Sequence, residues 1–234
     1  METPLKALLL AAGLGTRLRP LTLKKPKCLM EINNKPLLEH WLKKLEDLSV
    51  KEVIINTHYL RDQVIDFIKA RNNSHIEINE FYEEHLLGTA GTLLQNLEFF
   101  KGSTGLLIHA DNFTKIDLSG LIEAHFKRPS DCLITMLTFN SSNPESCGVV
   151  EINENNIVTK FHEKVDNPPS NRANGAIYVF DDIFIKWLFD RKTKPNDFST
   201  QVLPLMIGKI YTWHIEDDYF DIGTKSSLEK AQLI

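Results

Sequence analysis

Cysteine is scarce in this 234-residue chain, with Cys28, Cys132 and Cys147 making up the whole supply. Three scattered thiols cannot build a disulfide framework or a zinc knuckle. They fit a reducing compartment, so the expected location is the cytoplasm. Excess positive charge is missing too. The 27 Lys and Arg against 31 Asp and Glu leave a net charge of −4. That argues against a nucleic-acid partner and confines any anion site to a local basic patch. Long apolar runs are also absent. The run in "METPLKALLLAAG" is too short to span a membrane, and Glu2 does not suit the basic start of a signal peptide, so no membrane partner is expected. No two histidines have metal-ligand spacing, and no Ser-His-Asp or Cys-His arrangement is recognisable.

What is present is a strand–helix alternation. "LKALLLAA" (5–12) is a continuous apolar run, as a strand buried on both faces should be. "KPLLEHWLKKLEDLSV" spaces Leu37, Leu38, Trp41, Leu42, Leu45 and Leu48 as the core face of a helix. "KEVIINTHY", "RDQVIDFIKARN", "HIEINEFY", "GTAGTLLQNLEFF", "TGLLIHADN", "DLSGLIEAHFKR" and "DCLITMLTF" continue as strand, helix, strand, helix, strand, helix, strand. Such repeats imply an α/β fold with a mostly parallel sheet and helices on both faces. The second half changes character. "GVVEINENNIVTKFHEK" reads as a hairpin about "NENN", "NGAIYVF" as a strand and "DIFIKWLFD" as a helix. "YTWHIEDDYFDIG" reads as a pair of short strands before a last helix at 224–232. No linker separates the halves, so one continuous sheet is expected. Trp187 and Phe189 read as packing, as does His109.

Between the first strand and the first helix lies a concentration of glycine and base: Gly13, Gly15, Arg17, Arg19, Lys24, Lys25 and Lys27. A P-loop spacing does not occur there. A dinucleotide fingerprint fails as well, since the third glycine is missing and the next strand ends in Asn56 rather than an acid. Pro20 and Pro26 keep the stretch irregular. It remains a long anion-binding loop, glycines for close backbone approach and Arg17 and Lys27 for charge. Lys24 and Lys25 read as solvated surface.

"AAGLGTRLRPLTLKKPK" resembles the signature loop of the sugar-1-phosphate nucleotidylyltransferases, G-x-G-T-R-L-x-P-L-T followed by P-K. Cys28 stands where many members have a second proline. The resemblance implies a Rossmann-like sheet with a sugar-binding elaboration, one domain over 1–234, its nucleotide half about 1–112 and its sugar half about 113–234. It implies that Arg17, Lys27 and Lys164 are catalytic. Ala11, Ala12, Gly13, Gly15, Thr16 and Gly88 would bind nucleotide, with Gly88 in the base-contacting segment "EEHLLGTAGTL". Asn112, Gly148, Glu163 and Asn174 would bind sugar, from "HADN", "CGVV", "FHEK" and "NGAIYVF". The last of these exchanges two small residues relative to the family's N-A-G-I-Y. Asp111 and Asp221 would hold the metal, Mg²⁺, while Glu84 is as consistent with solvent exposure as with a base or ribose contact.

The implied reaction joins a nucleoside triphosphate to a sugar 1-phosphate, releasing pyrophosphate. "LLGTAGTL" favours GTP with mannose 1-phosphate or a related sugar such as a heptose 1-phosphate. UTP with a hexose or N-acetylmuramate 1-phosphate is the alternative. A non-catalytic nucleotide-sugar-binding module and a cytidylyltransferase of a non-sugar phosphate are the rivals of other kinds. The chain ends soon after the catalytic core, so no β-helix or allosteric extension is expected, and the state is monomer or homodimer.

Overall fold

The computed structural model describes residues 3–71 and 75–234. The end of the helix expected through Asn72, and Glu2, lie outside the described residues. In chain order the regular elements are β1 (Leu5–Leu10), β2 (Glu31–Ile32), β3 (Lys35–Pro36), α1 (Leu37–Asp47), β4 (Glu52–Thr57), α2 (Arg61–Ala70) and β5 (Glu77–Tyr82). Then come α3 (Thr89–Gln95), β6 (Thr104–His109), β7 (Asn112–Thr114), α4 (Ser119–Lys127), β8 (Ile134–Asn140), β9 (Gly148–Ile152) and β10 (Val158–Glu163). The chain closes with β11 (Arg172–Phe180), α5 (Asp182–Phe189), β12 (Ile210–Ile215), β13 (Tyr219–Asp221) and α6 (Lys225–Ala231). The class is α/β, as the alternation implies. No described helix is long and apolar enough to cross a membrane.

The residues sort into two compact units, and the chain visits each more than once. One comprises Leu5–Leu86, Ile108–Lys115 and Asp218–Ile234, and the other is built chiefly from Leu87–Leu107 and Ile116–Asp217. In the first unit β1, β4 and β5 are parallel, with Leu8 opposite Ile54 and Val53 opposite Ile78. Helix α1 forms where the sequence spaces its leucines, and Leu37, Leu38, Trp41, Leu42 and Leu45 are buried. Each such side chain contributes about 1.5–3 kcal/mol by leaving water. Leu48 falls just past the helix end and is only half-buried. Strand β1 stops at Leu10, two residues short of the apolar run, because Ala11 and Ala12 give their N–H groups to a side chain instead of a neighbouring strand. The long loop after it is a chain of three single turns, Thr16–Leu18, Leu21–Leu23 and Lys27–Leu29, closed by the small β2–β3 ribbon.

In the second unit β9 and β10 form the expected hairpin, and β11 runs antiparallel to β8 and β9. Strand β12 lies parallel to β8. The expected pair of strands in "YTWHIEDDYFDIG" does exist, but its members do not pair with each other. Strand β13 pairs with β7 in the first unit, bringing the chain's end back to its middle. Phe189 is a correction. It is 64% exposed at the end of α5, with Lys194 over its ring, so it does not pack in the core. Trp187 is half-buried and stacks on Phe184.

Candidate active site

The first unit gathers four of the expected charged residues at one point. The three turns of the loop place Arg17 on the first and Lys27 on the last, and Thr22 fastens the loop's middle by donating its hydroxyl to the Gly15 carbonyl at 2.7 Å. Asp111 sits between β6 and β7, and Asp221 ends β13. The β7–β13 ribbon sets the two carboxylates side by side, since Asp221 is in register with Asn112 and the Ile222 N–H donates to the Asp111 carbonyl at 3.0 Å. Apolar residues beneath hold the ribbon. Phe113 and Ile222 are buried with Leu18, Met30, Ile32, Leu37 and Ala231.

Lys27 lies between the two acids. Its Nζ donates to Asp111 Oδ2 at 2.6 Å and to Asp221 Oδ1 at 3.3 Å, and its side chain is only 9% exposed. Arg17 Nη2 reaches the other Asp221 oxygen at 3.4 Å. Packing around the Asp111 carboxyl pushes its pKa up, but the charges of Lys27 and His109 outweigh that and hold it below the ordinary carboxylate value. Asp111 is therefore an anionic oxygen donor at neutral pH, and the ribbon sets the Asp221 carboxyl beside it. Cys28, next to Lys27, is no nucleophile: burial pushes its thiol up to about 12.

Two residues of this constellation carry little signal in the sequence. Gly223 has Arg17's guanidinium lying against its backbone, so that an added Cβ would fall 2.8 Å from all three of Cζ, Nη1 and Nη2. Its place in "FDIGT" beside Asp221 is its one cue in the sequence. Asn56, which is not the acid that a dinucleotide fingerprint needs, is the side chain that ends β1. Its Oδ1 accepts from Ala11 N at 2.6 Å and Ala12 N at 3.3 Å, and its Nδ2 donates to the buried Glu83 carboxylate at 2.8 Å. The two alanine amides expected at nucleotide are thus held by Asn56. Gly13 and Thr16 are exposed in the loop, Gly15 is half-buried with a φ of +60°, and Asn112 is buried with its carbonyl accepting from Trp41 Nε1 at 2.9 Å. Lys24 is exposed, and Lys25 pairs with Glu31. Glu84 is exposed.

The second unit holds the remaining residues. Gly148 faces Glu163 in the β9–β10 ladder, and Lys164 follows with a φ of +50°, its N–H donating to the Cys147 carbonyl at 3.0 Å. Its Nζ lies 3.4 Å from Glu163 Oε1 and the side chain is two-thirds exposed, so an ammonium and a carboxylate stand together at the hairpin's open end. Asn174 organises an irregularity in β11. Its Oδ1 accepts from Ala176 N at 2.9 Å and its Nδ2 donates to the buried Tyr178 hydroxyl at 2.7 Å, while Ala176 takes a φ of +51°. Gly88 precedes α3 with a φ of +78°, and an added Cβ would overlap the Asn196 carbonyl. That same carbonyl accepts from Ala90 N at 3.0 Å.

The nucleotidyl transferase family model matches residues 6–234. The chain is 30% identical over 223 residues to the mannose-1-phosphate guanylyltransferase catalytic subunit beta of Drosophila melanogaster, covering 93% of this chain and 59% of that one. It therefore spans about three fifths of the length of the curated relatives it matches. Among solved structures, a Bacillus anthracis protein described as a glucose-1-phosphate thymidylyltransferase superimposes with a TM-score of 0.86 at 22% identity, over 98% of this chain and 94% of that one. HddC from Yersinia pseudotuberculosis, solved with GMP-PN, does so with a TM-score of 0.81 at 24% identity, over 97% and 98%. These two likenesses establish the fold.

Proposed function

The chain belongs to the nucleotidyl transferase family, and from that premise we propose that it transfers a nucleoside monophosphate from a nucleoside triphosphate to a sugar 1-phosphate. GTP and mannose 1-phosphate are the favoured pair, on the names of the relatives that match along nearly the whole chain. The observation that carries the reading is the meeting of Lys27, Arg17, Asp111 and Asp221, drawn from three distant parts of the sequence.

The reaction needs no general base. A phosphate monoester loses its second proton at a pKa of about 6, so the attacking oxygen of the sugar 1-phosphate is already anionic near neutral pH. It displaces pyrophosphate in line at the α-phosphorus of the triphosphate. The protein's task is to hold two anions together and to neutralise the charge that builds up. Arg17 and Lys27 do so for the triphosphate, and Lys164 for the phosphate of the sugar. Gly13, Gly15, Thr16 and Gly88 are assigned to the nucleotide, and Ala11 and Ala12, whose N–H groups Asn56 takes, meet it through the rest of their backbone. Asn112, Gly148, Glu163 and Asn174 take the sugar hydroxyls.

The paired carboxyl groups of Asp111 and Asp221 suit Mg²⁺, a hard cation that takes one or two protein oxygens and fills its other positions from water and phosphate. When bound there, Mg²⁺ supplies charge neutralisation at the phosphates. Three free thiols, two of them buried, fit a reducing cytoplasm.

The test is a matrix of four nucleoside triphosphates against a panel of sugar and alcohol phosphates, read as pyrophosphate release. Turnover is expected with GTP and mannose 1-phosphate. A maximum with UTP and a hexose or N-acetylmuramate 1-phosphate would overturn the substrate pair, and silence in every well would favour a binding module.

A further inference from the structure

We propose that Lys27 is a resident counter-cation that keeps the Asp111–Asp221 pair closed to divalent cations until a nucleoside triphosphate draws its ammonium away. The inference rests on the proposed nucleotidyl transfer for the identity of the displacing anion, and on geometry for the rest. Lys27 Nζ contacts one oxygen of each carboxylate, Asp111 Oδ2 at 2.6 Å and Asp221 Oδ1 at 3.3 Å. Arg17 takes the remaining Asp221 oxygen. Two negative and two positive charges therefore cancel within this group of side chains. A dication entering it would meet the buried Lys27 ammonium and the Arg17 guanidinium at short range, and like charges repel.

Lys27 cannot simply step aside. Its side chain is 9% exposed and its backbone is fixed in the Lys27–Leu29 turn, whose residues are all buried and whose Lys27 carbonyl accepts from Met30 N at 3.0 Å. An ammonium leaving two carboxylates for nothing would be an unpaired buried charge, which is strongly unfavourable. A triphosphate changes the balance by offering that ammonium a new anion within reach of the flexible stem. The carboxylates then become available, and metal and nucleotide bind as one cooperative event. Lys27 so serves twice, first as the counter-cation of the two acids and then as a ligand of the phosphates.

The experiment measures binding of Mn²⁺ alone, without nucleotide, from the electron paramagnetic resonance signal of the free ion. Lys27→Met keeps most of the stem and deletes the charge, and it is expected to bind one Mn²⁺ at least tenfold more tightly than the unaltered protein. Lys27→Arg keeps the charge and should stay near the unaltered affinity. Adding Asp221→Asn to Lys27→Met should remove the gain. If Lys27→Met does not hold its fold by thermal melting, Lys27→Gln carries the same expectation. No gain on removing the charge, or a gain that survives Asp221→Asn, would overturn the proposal. A separate titration of the unaltered protein with non-hydrolysable triphosphate analogues keeps the two readings apart. Failure to bind any of them would count against nucleotidyl transfer and leave the Mn²⁺ comparison standing.

Discussion

Arg17 shows how closely a single charge is placed. Its guanidinium rests on the backbone of Gly223 while reaching Asp221 Oδ2 at 3.4 Å. Gly223→Ala would set a Cβ 2.8 Å from the guanidinium. The far end of a flexible side chain moves cheaply, so the melting temperature should stay near that of the unaltered protein while turnover falls. Arg17→Ala should lower turnover by roughly 10²-fold or more, the scale of losing an oriented charge at a reacting phosphate, and Lys24→Ala should leave it unchanged. Equal losses in the two would mean that the loop acts as an unspecific basic patch. Asp111→Asn and Asp221→Asn should each lose several orders of magnitude, with the double variant scarcely worse, as groups acting as a unit behave. Strictly additive losses would separate the two acids. The meeting of Arg17, Lys27 and the two aspartates was legible as a grouping because the motifs that single them out are long and position-specific. Asn56 was not, because its part is played through backbone amides: it fixes Ala11 and Ala12 from 45 and 44 positions away, and a lone Asn at a strand end announces nothing.

At the scale of elements, the sequence's own periodicity located α1, β4, β8 and the β9–β10 hairpin, since burial and alternation are read directly from apolar spacing. The pairing of β13 with β7 was beyond it, because short strands of three residues find partners by where the chain returns and not by local pattern. The same limit hid β2–β3 inside the loop. The start of α3 gives a test of an element's anchoring. Gly88 combines a φ of +78° with a carbonyl where a Cβ would stand. Gly88→Ala should therefore destabilise by more than about 1 kcal/mol, since alanine does not suit a positive φ, and amide exchange should rise along Thr89–Gln95. Unchanged exchange in α3 would show that the Asn196 carbonyl does not hold the helix.

For the whole molecule, pH bears on stability through His125. Burial pushes its pKa down to about 3, with help from the Arg128 charge, against 6.5 for an ordinary imidazole. The unfolded chain takes up that proton and the folded one does not. The contribution is thus complete above pH 6.5 and is lost as pH falls toward 3, by up to about 1.4 kcal/mol per unit. Melting between pH 7 and 4 should steepen accordingly, and His125→Gln should flatten the slope. Identical slopes would assign the acid limb to other groups. Lys164 is assigned to the phosphate of the sugar, so Lys164→Ala should raise the KM for the sugar 1-phosphate far more than for the triphosphate. Equal effects would mean that "FHEK" has been given the wrong partner. Above all, the proposed transfer requires an oxygen of the sugar phosphate itself to attack the α-phosphorus. That is tested most directly by supplying mannose 1-phosphate labelled with ¹⁸O at its non-bridging phosphate oxygens, with unlabelled GTP, and weighing both products. All of the label should appear in the nucleotide sugar and none in pyrophosphate, whereas labelled pyrophosphate, or pyrophosphate released without the sugar phosphate, would contradict it.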